Sequence, residues 1–202
     1  FFTELFAPQA ATGLVFDHVF WQPFKQQAIN NSSDLAHDVV ALRVTSYFLG
    51  ACALGYSQQE ADKKAQQAMQ YFVQVRSEFV VPQASCQLLA QLSEKYPLVA
   101  ISNGNVDTNA IGIRGYFHQV FHAANGVKQK PDPQMFTMAC QSLAIAPEQL
   151  LHVGDCGRAD IQGALNAGCQ AAWLSCYDVG QPLTVLPQIE LSAVTELADL
   201  LL

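Results

Sequence analysis

Basic residues are scarce in this chain: 10 Lys and Arg stand against 17 Asp and Glu, a formal net charge of −7. With no Lys/Arg-rich block to relieve it, that balance repels nucleic acid phosphate and anionic lipid, so the expected partner is a small molecule rather than a polyanion or a membrane. No apolar run reaches the roughly 18 residues of a membrane span. FFTELF at the start has neither the basic flank nor the cleavage region of a signal peptide. The six cysteines (Cys52, Cys86, Cys140, Cys156, Cys169 and Cys176) form no CxxC pair, which argues against a zinc site and fits reduced thiols in a cytoplasmic protein. Internal repeats and low-complexity tracts are absent. So is an initiator methionine, and the expectation is that something upstream is missing. Nothing in the sequence sets an oligomeric state.

What is present is a chain of 202 residues, half of them hydrophobic, enough to bury a substantial core. Residues 1–80 read as all helical. Phe16, Val19, Phe20 and Phe24 recur at helical spacing, Leu35, Val39, Leu42 and Phe48 roughly repeat it, and Ser57 with Glu60 fits a capping box behind the stop signal of Gly55. That helix is expected to end near Arg76, and Pro82 suits the first turn of another. From residue 98 onward short apolar strands (98–102, 118–122, 150–154 and 171–174) alternate with helical stretches (133–143 and 158–167), the second closed by Gly168. Ser192 with Val194, Leu197, Leu200 and Leu201 suggests a final amphipathic helix. Such alternation predicts an α/β fold with a parallel sheet, residues 81–202, preceded by a helical cap, residues 1–80, over the strand ends.

Three polar stations lie beside strand ends. In LVAISNGN, Ser102 is followed by Asn103 and Gly104, so a hydroxyl and successive backbone N–H groups can meet an anion at the carboxyl edge of the sheet; an ordinary turn built from common turn formers would look the same. In KQKPDP, Lys130 is held by Pro131, Asp132 and Pro133 at the start of a helix, a rigid mount for an ammonium that Lys128 lacks. A lone loop lysine is more often a solvated charge. In LLHVGDCGRAD, Asp155 follows Gly154 at a strand end, where one carboxylate suits Mg²⁺, with Asp160 supporting the loop. The competing role for Asp155 is a helix cap. Cys156 reads as packing, and His152 as a core histidine. His18, His37, His118 and His122 show no ligand spacing.

The three stations, in this order, resemble motifs two, three and four of the haloacid dehalogenase superfamily over roughly residues 82–175. The resemblance implies a doubly wound, Rossmann-like core with an inserted helical cap. It also implies a Mg²⁺-dependent phosphatase working through an aspartyl-phosphate. By the same resemblance Ser102 and Lys130 bind the phosphoryl group, Asn103 and Gly104 assist, Asp155 ligates Mg²⁺, and the substrate is a small phosphorylated metabolite. Within the superfamily the chain, including HDVVALR at 37–43, looks most like bacterial phosphatases of riboflavin biosynthesis that act on 5-amino-6-(5-phospho-D-ribitylamino)uracil and on FMN.

One motif departs. The family's DxDxT should follow a strand, but the only apolar-Asp candidate, Asp17 in LVFDHVFW, lacks the second acid and the Thr, lies in helical periodicity and falls inside the cap. Asp17 is therefore rejected as the nucleophile. The simplest expectation is that a first core strand and turn of roughly 30 residues, a βα unit's worth, is absent from this sequence. Two other readings stand: a metal-independent 2-haloacid dehalogenase, against which the acidic GDxxxxD loop argues, and a non-catalytic binding relic.

Overall fold

The computed structural model describes residues 1–6, 14–177 and 183–202. The chain forms two compact units: residues 1–78 with 104–107 and 124–126, and residues 79–103, 108–123 and 127–202.

The first unit is helical: α1 (Phe2–Phe6), α2 (His18–Asn31), α3 (Val39–Ala53) and α4 (Gln58–Arg76). Asp17 caps α2, its carboxylate accepting the Val19 and Phe20 N–H groups. Asp17 thus has a structural task that explains an acid in an apolar stretch. Ser57 and Glu60 form the full capping box of α4, and Gly55, at φ 95°, supplies the left-handed turn before it. Ala61, Ala65 and Ala68 line the buried side of α4, their small side chains admitting Phe6, Tyr47 and Tyr56 to one core. Phe2, Phe16 and Trp21 pack against that core. At Gly50 a Cβ would sit 2.5 Å from Trp21 Cζ3, so the crossing of α2 on α3 depends on the missing side chain.

The second unit carries the strands. After α5 (Gln83–Lys95), which begins one residue past Pro82, come β1 (Val99–Ser102), β2 (Gln119–His122), α6 (Gln134–Leu143), β3 (Leu151–Gly154), α7 (Gly163–Asn166), β4 (Gln170–Leu174), β5 (Ile189–Leu191) and α8 (Leu197–Leu201). All pairings are parallel: β1 with β2, and β3 with β4 and β4 with β5. Two sheets result, ordered β1-β2 and β3-β4-β5. Among the described residues no strand pairs with the other edge of β1 or of β3. Parallel strands joined through helices make this an α/β fold.

Two features differ from the expectation. The stretch expected to be one helix over 158–167 is a π-type turn, Gly157–Gln162, that runs into the short α7. Strand β5 was missed because three residues are too few to show an alternation. Gly168, at φ 81°, ends α7 as expected.

The close approach at Gly50 can be tested by substitution. Overpacking at Gly50→Ala costs about 1–3 kcal/mol against about 1 kcal/mol of helix propensity gained, so the urea midpoint is expected to fall. A raised midpoint would show that Trp21 yields without cost.

Candidate active site

Station two is built first by its backbone. Asn103 Oδ1 accepts the Lys130 N–H at 2.7 Å, and Asn103 Nδ2 donates to the Lys130 carbonyl at 2.8 Å. A side-chain amide with both ends on one residue acts as a strap, tying the loop after β1 to the loop before α6. Asn103, expected beside the phosphate, therefore has a positioning task, with one amide hydrogen left over. The Lys130–Pro131 peptide is cis. Asp132 Oδ1 accepts the Gln134 N–H at 3.0 Å, helping to start α6. Lys128, by contrast, is exposed and pairs with Asp132 only at 3.8 Å.

The Lys130 ammonium is buried, with its side chain 9% exposed. It donates to the Ile101 carbonyl at the end of β1, 3.0 Å away, and to Asp160 Oδ1 at 2.6 Å. An ammonium has three N–H donors; among the described residues two are engaged. Because Ile101 precedes Ser102 and Asp160 lies in the loop after β3, this cation ties the end of β1 to the loop that follows β3.

Asp160 is the hub. Besides Lys130 it accepts His152 Nε2 on Oδ1 at 2.9 Å and the Cys156 N–H on Oδ2 at 3.0 Å. Burial pushes its carboxyl up, but the His152 hydrogen bond and the Lys130 ammonium outweigh that and hold it well below the usual carboxylate range. Gly154 makes room for it: a Cβ there would overlap the Asp160 side chain. Burial holds His152 below its usual value, with Lys130 adding to the effect and the Asp160 hydrogen bond opposing it. Its ring meets the Phe136 ring edge-on, centroids 5.0 Å apart.

The loop between the two acids divides their tasks. Cys156, not Asp155, caps the π-type turn, its Sγ accepting the Ala159 N–H at 3.4 Å. Cys156 is thus more than packing. The Asp155 carbonyl accepts Trp173 Nε1 at 3.2 Å, and among the described residues no hydrogen bond or ion pair reaches its carboxylate. Between the two acids, then, Asp155 is the one available to a cation. A single carboxylate fits Mg²⁺, whose octahedron is completed by water and phosphate oxygens; among the described residues no group of three or more acidic, histidine or cysteine side chains is placed to hold a metal ion.

Ser102 closes β1 opposite His122, its carbonyl accepting the Ala123 N–H at 3.1 Å. Gly104 belongs to a return stretch grouped with the helical unit. His152 is the core histidine that the sequence suggested, buried in β3; what sequence did not show is its bond to Asp160. A polar side chain inside the apolar strand LLHVG needs a partner when buried, and that need was the available signal.

The chain belongs to the haloacid dehalogenase-like hydrolases, whose family profile matches residues 19–168. It is 33% identical over 184 residues to 5-amino-6-(5-phospho-D-ribitylamino)uracil phosphatase YigB of Escherichia coli (strain K12), covering 89% of this chain and 77% of that one. It is also 33% identical over 122 residues to the N-acylneuraminate-9-phosphatase of Rattus norvegicus, about half the length of that protein, 49%. Among solved structures it resembles a 2-haloacid dehalogenase from Pseudomonas syringae pv. Tomato DC3000, with a TM-score of 0.86 at 26% identity over 96% of this chain and 84% of that one.

The two lowered groups set a pH dependence. A group with a depressed folded pKa takes up protons more readily when unfolded, so stability is lost as pH falls below the unfolded value. Loss is expected in two stages: below about pH 6.5 from His152, and below about pH 4 from Asp160. His152→Phe should flatten the first stage, read as the urea midpoint between pH 7 and pH 5; an unchanged slope would rule out His152 as its source.

Proposed function

We propose that this hydrolase cleaves small phosphate monoesters at the ends of β1 and β3. The observation that carries the reading is the buried Lys130 ammonium, fixed by Ile101 and Asp160 with, among the described residues, an N–H to spare, together with an Asp155 carboxylate that no described residue engages in the same loop as Asp160. The chain is a phosphoric monoester hydrolase: YigB and N-acylneuraminate-9-phosphatase, both phosphatases by name, are its relatives.

In the mechanism an aspartate carboxylate attacks phosphorus, the P–O bond to the substrate breaks and its oxygen leaves as the alcohol with a proton from solvent, and water then attacks the aspartyl-phosphate, returning a proton to solvent and giving inorganic phosphate and free carboxylate. That aspartate is not among these residues. Lys130 donates to the transferred group and offsets its charge, while Ser102, at the end of β1, supplies a hydroxyl to the same group. Asp155 would hold Mg²⁺, which supplies charge neutralisation at the phosphoryl oxygens. Residues 1–80 act as a cap that selects the alcohol. The substrate is a phosphorylated riboflavin precursor or FMN, on the strength of the similarity to YigB across most of both chains. The free cysteines and the acidic charge accord with work on a small metabolite in the cytoplasm, and among the described residues no helix is long and apolar enough to cross a membrane.

The likeness to a 2-haloacid dehalogenase favours a second reading, halide displacement without metal. A carbon–halogen bond needs no phosphate clamp, however, and the open Asp155 carboxylate would then be idle.

Phosphate release by the full-length protein, its intact mass verified, from a panel of monoesters that includes FMN, with and without EDTA, decides between them. Release abolished by EDTA and by Asp155→Ala is expected. Full activity in Asp155→Ala would refute the metal assignment, and chloride release from 2-chloropropionate without Mg²⁺ would establish the second reading.

A further inference from the structure

We infer that His152 is a positioning residue for the phosphoryl clamp, acting through Asp160 on Lys130. The inference rests on the phosphatase reading of the same site. Two donors converge on one oxygen: Lys130 Nζ and His152 Nε2 both reach Asp160 Oδ1, at 2.6 and 2.9 Å, while the other oxygen takes the Cys156 N–H. A carboxylate oxygen only accepts, so the His152 Nε2 that faces Oδ1 carries the hydrogen, and burial, which lowers the ring's pKa, leaves Nδ1 without one.

A neutral donor on Oδ1 does what a second cation or an apolar side chain would not. It fixes the carboxylate plane from the β3 side and takes a share of the oxygen's charge. Lys130 then keeps its place between Ile101 and Asp160 instead of closing onto Asp160 alone. The ring is itself immobilised: it stands in a strand paired with β4, His152 opposite Ala171, and Phe136 from α6 packs edge-on against it. Strand, ring, carboxylate and ammonium thus form one rigid relay from the interior of the second unit to the strand ends. A buried ion pair alone is weak evidence for stability. The extra donor gives this one a direction, which a clamp on a phosphoryl group requires.

Two substitutions test the role. His152→Phe keeps a ring against Phe136 and removes the donor. His152→Gln keeps an amide donor at a similar reach. Loss of one hydrogen bond to a charged group corresponds to about a tenfold effect. Expected in His152→Phe is therefore about a tenfold loss of kcat/KM with an equally weakened inhibition by inorganic phosphate, and His152→Gln should recover most of both. A purely packing role predicts the reverse order, with the phenylalanine variant active and the glutamine variant impaired, and that result would overturn the inference. Should the full-length wild type release no phosphate at all, the phosphatase reading falls by itself. Histidine ¹⁵N resonances then judge the relay: a neutral His152 protonated on Nε2 supports it, and a ring protonated on Nδ1 contradicts it.

Discussion

The site depends on one carboxylate. Asp160 is buried, yet three donors from three parts of the chain converge on it: an ammonium from the loop before α6, an imidazole from β3, and a backbone N–H from its own loop. Removing a charge from water is costly unless it is paired and hydrogen-bonded, so the segments must arrive together or not at all. Gly154 exists for the same reason, since any side chain there would occupy the space of the Asp160 carboxylate. Through Lys130 the same charge reaches β1 at Ile101, and through the Lys130 backbone it reaches Asn103. The strand ends are therefore organised around one buried anion.

This arrangement separates two acids that a motif presents as a pair. Asp160 is saturated and stays ionised far below neutral pH, which suits a fixed counter-charge. Asp155, five residues earlier, has a carboxylate that no described residue engages, which suits a hydrated cation. The strap from Asn103 makes a similar division with Ser102: neighbours in sequence, one ties down the lysine loop while the other ends the strand. Residues close in sequence thus carry different structural tasks.

Much of this was legible in the sequence. The α4 boundaries could be read because Ser57, Glu60 and Gly55 carry local signals, and four strands because they are short apolar runs, three of which end at or just before Gly, Ser or Asp. The stations were legible as residue types at strand ends. Other features depend on tertiary partners and left no local trace. Asn103 looks like a turn former, and only the approach of residue 130 gives its amide a task. His152 is a core residue, as it looks, but its partner shows only once Asp160 is folded back onto it. The π-type turn at Gly157–Gln162 reads as plain helix, because its widening serves the return of Asp160 and not any local periodicity. Strand β5 is stabilised by pairing with β4 and by burial of Leu191, neither of which a three-residue run reveals.

The central claim is that Asp160 serves the reaction by holding Lys130. A double-mutant cycle of Lys130→Ala and Asp160→Asn, read as kcat/KM for phosphate release, tests it most directly. The account predicts strong non-additivity, the double variant losing about as much as Lys130→Ala alone. Losses that multiply independently would contradict it and would mean that Asp160 acts on the reaction by another route.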